Sequence, residues 1–344
     1  MIFLVLKVKM GGKQVSSSVA VLALITLLLV VSVSAKIPDS TLKKIQRVNS
    51  RGPYLALLTV YPPEEAAFNA SKIFKEDEKS HVDLSGRRFR VGTVNGVKVI
   101  YVRCGVGMVN AAAATQQLAD FFNIRGIVHF GIAGSLDPRI SYGDVAVLKR
   151  VANTAVYDWL NPKANTTHSH VTKDDLIIGK YHLPKKGNEN SNSLGRVAFR
   201  GERFFPPKGE PNVDISETWF NSTEKWLGLA SQLVHTVKLN STGLPQKAKV
   251  VVGVNGSTAD ISLENLAYRT FLYDEFRVSV HDAESSAVVM TSSSNGYKVI
   301  AIRGLSDLSG ADKAGTPSYR DITANNTVAV LHDFIQILHD NGEA

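Results

Sequence analysis

The stretch from Val99 to Leu148, VIYVRCGVGMVNAAAATQQLADFFNIRGIVHFGIAGSLDPRISYGDVAVL, constrains the fold more than any other part of the chain. A β-rich run, Val97 to Cys104, meets Gly105 and Gly107, and an alanine-rich helix is expected from about Val109 to Phe122. A second apolar run, Ile127 to Phe130, is expected to break at Gly131 and Gly134 before Gly143-Asp144 opens a third strand. Strand, glycine turn, helix, strand, glycine turn is the rhythm of an α/β sheet that binds its ligand at the strand ends. Glycines there let the backbone approach a small molecule, and the helix start is expected to offer free N–H groups to an anion. The competing reading is that they only serve the turns.

Three lysines, Lys7, Lys9 and Lys13, precede Val19 to Val33, a run without charge, and Val33-Ser34-Ala35 offers small residues of the kind a signal peptidase reads. Residues 1–35 are therefore expected to be a signal peptide. The run is short for a span of about 20 residues, so no membrane span is expected after cleavage; an uncleaved anchor is the competing reading. Six Asn-x-Ser/Thr triplets, at Asn69, Asn165, Asn221, Asn240, Asn255 and Asn325, agree with a glycoprotein of the secretory pathway, extracellular or vacuolar. The formal charge of +8 includes the three leader lysines, and no dense basic run with interleaved aromatics remains, so nucleic acid is not an expected partner. Cys104 is the only cysteine, which excludes an intramolecular disulfide and a cysteine-cluster metal site; a small apolar filler is the preferred reading over a nucleophile.

Residues 36–344 are expected to form a single α/β domain with a mixed, twisted central sheet flanked by helices. A polar helix over Ser40 to Asn49 leads into the strand Tyr54 to Val60, which Pro62-Pro63 ends while starting a helix that carries Glu64 and Glu65. Arg87 to Val94 and Val97 to Cys104 are joined by Asn95-Gly96, a strong hairpin signal. Residues 152–247 read as a long polar insertion. His168 and His170 there lack an acid to complete a ligand set, so no metal is expected. Within it, RVAFRGERFF fits one strand, and WFNSTEKWLGLASQLVHTV places Trp219, Trp226, Leu229 and Leu233 at helical spacing. Lys249 to Val254, Val278 to Val280 and Tyr297 to Arg303 then read as strands. Helices are expected at Leu263 to Phe276, after Glu284, and at about Asn326 to His339.

Two short motifs carry acids at strand ends: HDAESSA from His281 to Ala287, and RGLSD from Arg303 to Asp307. Together with CGVGMVNAA, FGIAG and SYGDV, in that order, they resemble the nucleoside phosphorylase and nucleosidase superfamily; the long insertion is similar to its plant bark-storage and wound-inducible branch. The resemblance covers about Pro53 to Val151 and Lys249 to Leu338. It implies that Asp307 protonates the purine, that Glu284 grips the ribose hydroxyls, and that Glu64, with Glu65 one step away, lies below the sugar. It also places Ser306, Gly107, Gly131, Ile132 and Ala283 against the ligand. The alternative for the two glutamates is a favourable charge in the first turn of a helix, and for Glu284 and Asp307 the capping of helices or turns.

Cleavage of an N-glycosidic bond needs these types: an acid held protonated near the base, and carboxylates that orient water and sugar. Four departures from the family bear on the chemistry. Ile132 replaces a Ser or Thr, Ala283 replaces a Met that packs on the ribose, and His129 stands where some phosphorylases place a phosphate-binding arginine. The Gly-Asp-x-x-Arg element is also missing around Tyr61 to Glu65. Hydrolysis of purine nucleosides or their thio-derivatives, without metal or organic cofactor, is therefore expected over phosphorolysis. The alternative is a non-catalytic storage or wound-response glycoprotein that retains the fold and binds a nucleobase. A homo-oligomer is expected in either case.

Overall fold

The computed structural model describes residues 37–160, 175–177, 196–310 and 319–344. Residues 44–344 make up one compact unit. Helix α1 (Asp39–Asn49) begins before that unit and buries Ile45 and Val48 within it. The central sheet has eleven strands: β1 (Tyr54–Thr59), β2 (Phe74–Glu76), β3 (Val82–Leu84), β4 (Arg87–Val94), β5 (Val97–Arg103), β6 (Ile124–Ser135), β7 (Val145–Asn153), β8 (Phe220–Asn221), β9 (Val250–Thr258), β10 (Val278–Asp282) and β11 (Lys298–Leu308). Their order is β8-β7-β9-β10-β6-β1-β5-β4-β2, with β11 pairing β6 and β7 and β3 pairing β4. β1 lies parallel to both β5 and β6, and all six of its residues are buried, which is why YLALLT reads as an unbroken apolar run. The β4–β5 hairpin turns at Asn95 (φ 51°) and Gly96 (φ 79°), as that dipeptide requires, and makes the sheet mixed.

Helices α2 (Pro62–Ala70), α3 (Met108–Phe121), α6 (Leu266–Phe276), α7 (Ser285–Ser294) and α8 (Arg320–Asp340) flank the sheet; α4 (Glu224–Ala230) and α5 (Leu233–Thr236) belong to the insertion. The main core joins Leu55, Leu57, Phe68, Tyr101, Phe130 and Ile302 to the inner face of α8. No helix among the described residues is long and apolar enough to cross a membrane.

Three strands overrun their expected ends, and each case turns on a glycine. β6 runs through Gly131 and Gly134 to Ser135 instead of turning. A Cβ at Gly131 would collide with Glu64 Oε1 and stand 2.8 Å from Arg303 Nη1, while one at Gly134 would collide with Ser309 Oγ. These glycines serve close approach, not a turn. β9 continues past Gly253 to Thr258 because Gly253 (φ 88°) absorbs a bulge against β7. β11 extends to Leu308 with a register shift between Leu305 and Asp307, so Asp307 lies inside a strand opposite Gly134 and not after one.

The insertion is also more integrated than its composition implies. β8 adds to the edge of β7, and Trp226 of α4 and Leu233 of α5 are fully buried in the main core. The expected single helix breaks at Ser231, whose N–H closes on Gly228 and Leu229, and a second short helix begins at Leu233. RVAFRGERFF divides into Arg196–Phe199, which pairs with Tyr157–Leu160 and Asp175–Ile177, and Glu202–Phe204, which pairs with Ile215–Glu217. Gly201, packed against the backbone of Glu217, makes the break. His168, His170 and Asn165 lie outside the described residues.

Candidate active site

The site begins where β1 ends. Pro62 and Pro63 open α2, and Glu64, its third residue, folds back. Its Oε2 accepts from Thr59 Oγ1 (2.8 Å), Val60 N (2.8 Å) and Tyr61 N (3.1 Å), and its Oε1 accepts from Ile132 N (2.7 Å) on β6. Three of these donors share Oε2, so only Oε1 keeps a lone pair open. Glu64 thus caps its own helix and also ties β1 to β6. Glu65 instead pairs with Arg103 (2.8 Å) on β5 and takes no part.

Facing Gly131 across the β6–β11 ladder is Arg303, 1 % exposed. Its Nη2 donates to Glu284 Oε2 (2.9 Å), and its Nε stands 2.9 Å from Asp282 Oδ2, an ion pair whose angle falls outside hydrogen-bond geometry. Nη1 has no partner among the described residues. Asp282 is a hub: Oδ1 accepts from Thr258 Oγ1 (2.7 Å), Glu284 N (3.1 Å) and Ser285 N (3.0 Å), and Oδ2 from Ser285 Oγ. Burial by itself would raise the Asp282 carboxyl, but Arg303 holds it below the ordinary carboxylate range. For Glu284 burial wins, with Asp282 adding to it, and the carboxyl is pushed up against the pull of Arg303. Arg303 is disfavoured by burial and yet held above its ordinary value by Asp282, Glu284 and Glu64.

At the glycine turn before α3 two amides are already taken by carboxylates of the chain. Gly107 N donates to Glu284 Oε1 (3.0 Å), and Met108 N donates to Asp260 Oδ1 (2.8 Å). Two carboxylates of the chain occupy the place that the sequence left open for an anion. Arg303 is the cation at their centre, because burial pushes His129 down to about 3 and leaves it neutral at pH 7. His129 Nδ1 lies 3.2 Å from Leu58 O, and its Nε2 has no partner among the described residues. Burial pushes the Cys104 thiol up to about 12, which agrees with a filler and not a nucleophile.

The structure thus joins Glu64, Gly131, Ile132, Glu284 and Gly107 into one chain of contacts through Arg303. Ala283 and Gly107 line an open cavity of about 480 Å³, with Val106, Val109, Asp260 and Ile261. Ser306 and Asp307 lie farther along β11 and do not line that cavity. Ser306 Oγ donates to Asp307 Oδ1 (3.0 Å), and Oδ2 faces Gly134. Tyr61 spans the two groups: burial raises its phenol, and the charges of Glu64 and Asp307 both reach it. Among the described residues no three or more His, Cys, Asp or Glu side chains group as a metal site.

Asp282 and Arg303 lie within the two acid-bearing motifs without a role that the motifs reveal, and Asp260 lies in no motif. An arginine inside an otherwise apolar strand, KVIAIRGL, was the available signal, since a buried guanidinium needs acids around it.

Residues 54–335 match the family model described as "Phosphorylase superfamily". Bark storage protein A of Populus deltoides is 34% identical over 275 residues, 78% of this chain and 84% of that protein. A 5′-methylthioadenosine/S-adenosylhomocysteine nucleosidase of Treponema pallidum is 24% identical over 241 residues, 70% of this chain and 78% of its own. Among solved structures, the Colwellia psychrerythraea nucleosidase of the same name, in complex with adenine, superposes with a TM-score of 0.56 at 17% identity. It covers 83% of this chain and 95% of that one. The futalosine hydrolase of Helicobacter pylori gives 0.55 at 16% identity, covering 86% and 99%. These two share the fold. The extent of the family match and the bark-protein identity place this chain in the phosphorylase superfamily.

Proposed function

We propose that this chain binds a purine nucleoside or its thio-derivative at the C-terminal end of β6 and β11 and cleaves the N-glycosidic bond with water. The observation that carries this reading is the occupation of Gly107 N by Glu284 and of Met108 N by Asp260. Phosphate would enter beside Glu64, Asp282 and Glu284 with Arg303 as the central cation, and without the Gly107 and Met108 amides to receive it. A neutral nucleoside and a water meet no such penalty. In this reading Glu284 fixes the sugar hydroxyls, and Arg303 Nη1, the donor left without a partner, holds the water beside Glu64. The C1′–N bond breaks as the water oxygen bonds to C1′; the water's proton passes to Glu64, and Asp307 supplies a proton to the departing base.

Purified protein incubated with several nucleosides, followed by chromatography for free base, tests this. Asp307→Asn is expected to reduce release by about 10²–10⁴-fold with the fold intact. Release that Asp307→Asn leaves unchanged removes the role given to that acid.

A second reading, a storage glycoprotein that keeps the fold without turnover, is favoured by two observations. Glu64 already accepts four protein hydrogen bonds, and Ile132 brings no side-chain donor to the site. The bark storage identity is in keeping with it. Both readings include a leader ending near Lys36, a homo-oligomeric secretory-pathway protein, extracellular or vacuolar, and N-glycans. Exposed Asn69, Asn221, Asn240 and Asn325 support the glycans. Asn255 is the poorest acceptor, since its side chain bonds Arg150 and the Arg277 carbonyl.

A further inference from the structure

In the chemistry outlined above Asp260 only closes the Met108 amide and moves no proton, yet it is the one ionisable side chain lining the open cavity beside Gly107 and Ala283. It sits on the loop after β9, is exposed, and accepts one hydrogen bond, from Met108 N to Oδ1. Among the described residues no lysine, arginine or histidine pairs with it. The basic group near the glycine turn, Arg87, is committed elsewhere: its Nε donates to Cys104 O (3.0 Å) and its Nη2 to Asn110 Oδ1 (2.8 Å). Of the remaining lining, Val106, Val109 and Ile261 are apolar and strongly exposed, and the Ser262 hydroxyl donates to Glu264 Oε1 (3.1 Å). A cleft with mostly apolar walls and one carboxylate that no cation pairs accepts a particular kind of ligand arm. It must be apolar along its length and neutral or positively charged at its end.

We infer that Asp260 is a specificity-determining residue that selects nucleosides bearing a cationic or hydrogen-bond-donating substituent on the sugar and rejects phosphorylated ones. The inference rests on the nucleoside reading of the site and deepens it. Glu284 lies behind Gly107 on the same wall, so a phosphorylated sugar meets two carboxylates and, among the described residues, no unpaired cation. The second oxygen of Asp260 accepts no bond among the described residues, so a ligand ammonium can reach it without displacing the Met108 amide. An exposed pair of this kind contributes up to about 1 kcal/mol, which is about fivefold in affinity.

The test is calorimetric binding of three probes to the full mature chain at pH 6.5 and low salt: 5′-amino-5′-deoxyadenosine, adenosine and adenosine 5′-monophosphate. The expected order is amine tightest, by about two- to fivefold over adenosine, with the monophosphate weakest. In Asp260→Asn, whose amide oxygen still accepts from Met108 N, the preference for the amine should vanish while adenosine binds as before. As a second measurement, raising the salt on the unaltered protein should shrink the preference while adenosine affinity stays constant. Equal binding of amine and neutral probe overturns the inference and leaves the nucleoside reading standing. A preference that survives Asp260→Asn overturns it as well. Binding of none of the three overturns the nucleoside reading itself, and the inference with it.

Discussion

Replacing Arg303 by methionine removes the cation that holds three elements of the site together. The methionine fills much of the same volume, so the loss is electrostatic. Asp282, 8 % exposed, and Glu284, 4 % exposed, each lose an ion pair at 2.9 Å and stay buried. Breaking a buried pair from one side costs about 3–5 kcal/mol. In a domain of this size that lowers the melting temperature by roughly 6–20 °C, and the lower part of the range is expected. The loss must also depend on pH. In the native chain Arg303 holds Asp282 below its unfolded value, a contribution present above the ordinary carboxylate pKa and lost as pH falls through the folded one. In Arg303→Met both acids lose that cation and burial raises them, so they take up protons as the pH is lowered. The destabilisation should therefore be largest at pH 7 and shrink towards pH 5. Adding Glu284→Gln should restore part of it. Urea unfolding at the two pH values checks this; a variant as stable as the parent at pH 7, or a loss that does not shrink at pH 5, refutes the triad as drawn.

Gly131→Ala should cost about 1–3 kcal/mol by unfolding, since its Cβ collides with Glu64 Oε1; an unchanged midpoint would contradict the close approach. His129 and His281, lowered by burial to about 3 and about 4, bind fewer protons folded than unfolded. Stability should then fall below pH 6.5 by about 1.4 kcal/mol per pH unit for each, and His129→Gln should remove about half of that slope. Trp226→Phe should lose about 1.5–3 kcal/mol, because the indole N–H donates to the carboxylate of Glu343 (2.9 Å) inside the core; the same loss in a Glu343→Met background, which has no acceptor oxygen, would show that the bond carries nothing.

Most of the sheet is legible in the chain because its signals are local. The Asn95-Gly96 hairpin, the Pro62-Pro63 helix start and the buried run of β1 each follow from adjacent residues. The errors share one cause. Gly131 and Gly134 read as turns because glycine ends strands in a local view, whereas they make room for Glu64 and Ser309, which lie far away in sequence. The site divides in the same way. Glu64, Glu284 and Asp307 could be picked out because their motifs are short. What could not be read is that Glu284 and Asp260 take the Gly107 and Met108 amides, because these bonds join residues 177 and 152 positions apart. Trp226 looked like part of a surface insertion because nothing in its neighbourhood records the C-terminal Glu343 that receives it.

The fate of the sugar bears most directly on the central claim, that the carboxylates on the glycine turn turn the fold away from phosphate and towards water. The mature protein is incubated with adenosine and with 5′-methylthioadenosine in ¹⁸O-enriched water containing phosphate, and the sugar product is analysed by mass spectrometry. The account predicts a free sugar that carries the heavy oxygen at C1, in an amount unaffected by the phosphate. A sugar 1-phosphate, or base release that requires phosphate, would contradict it.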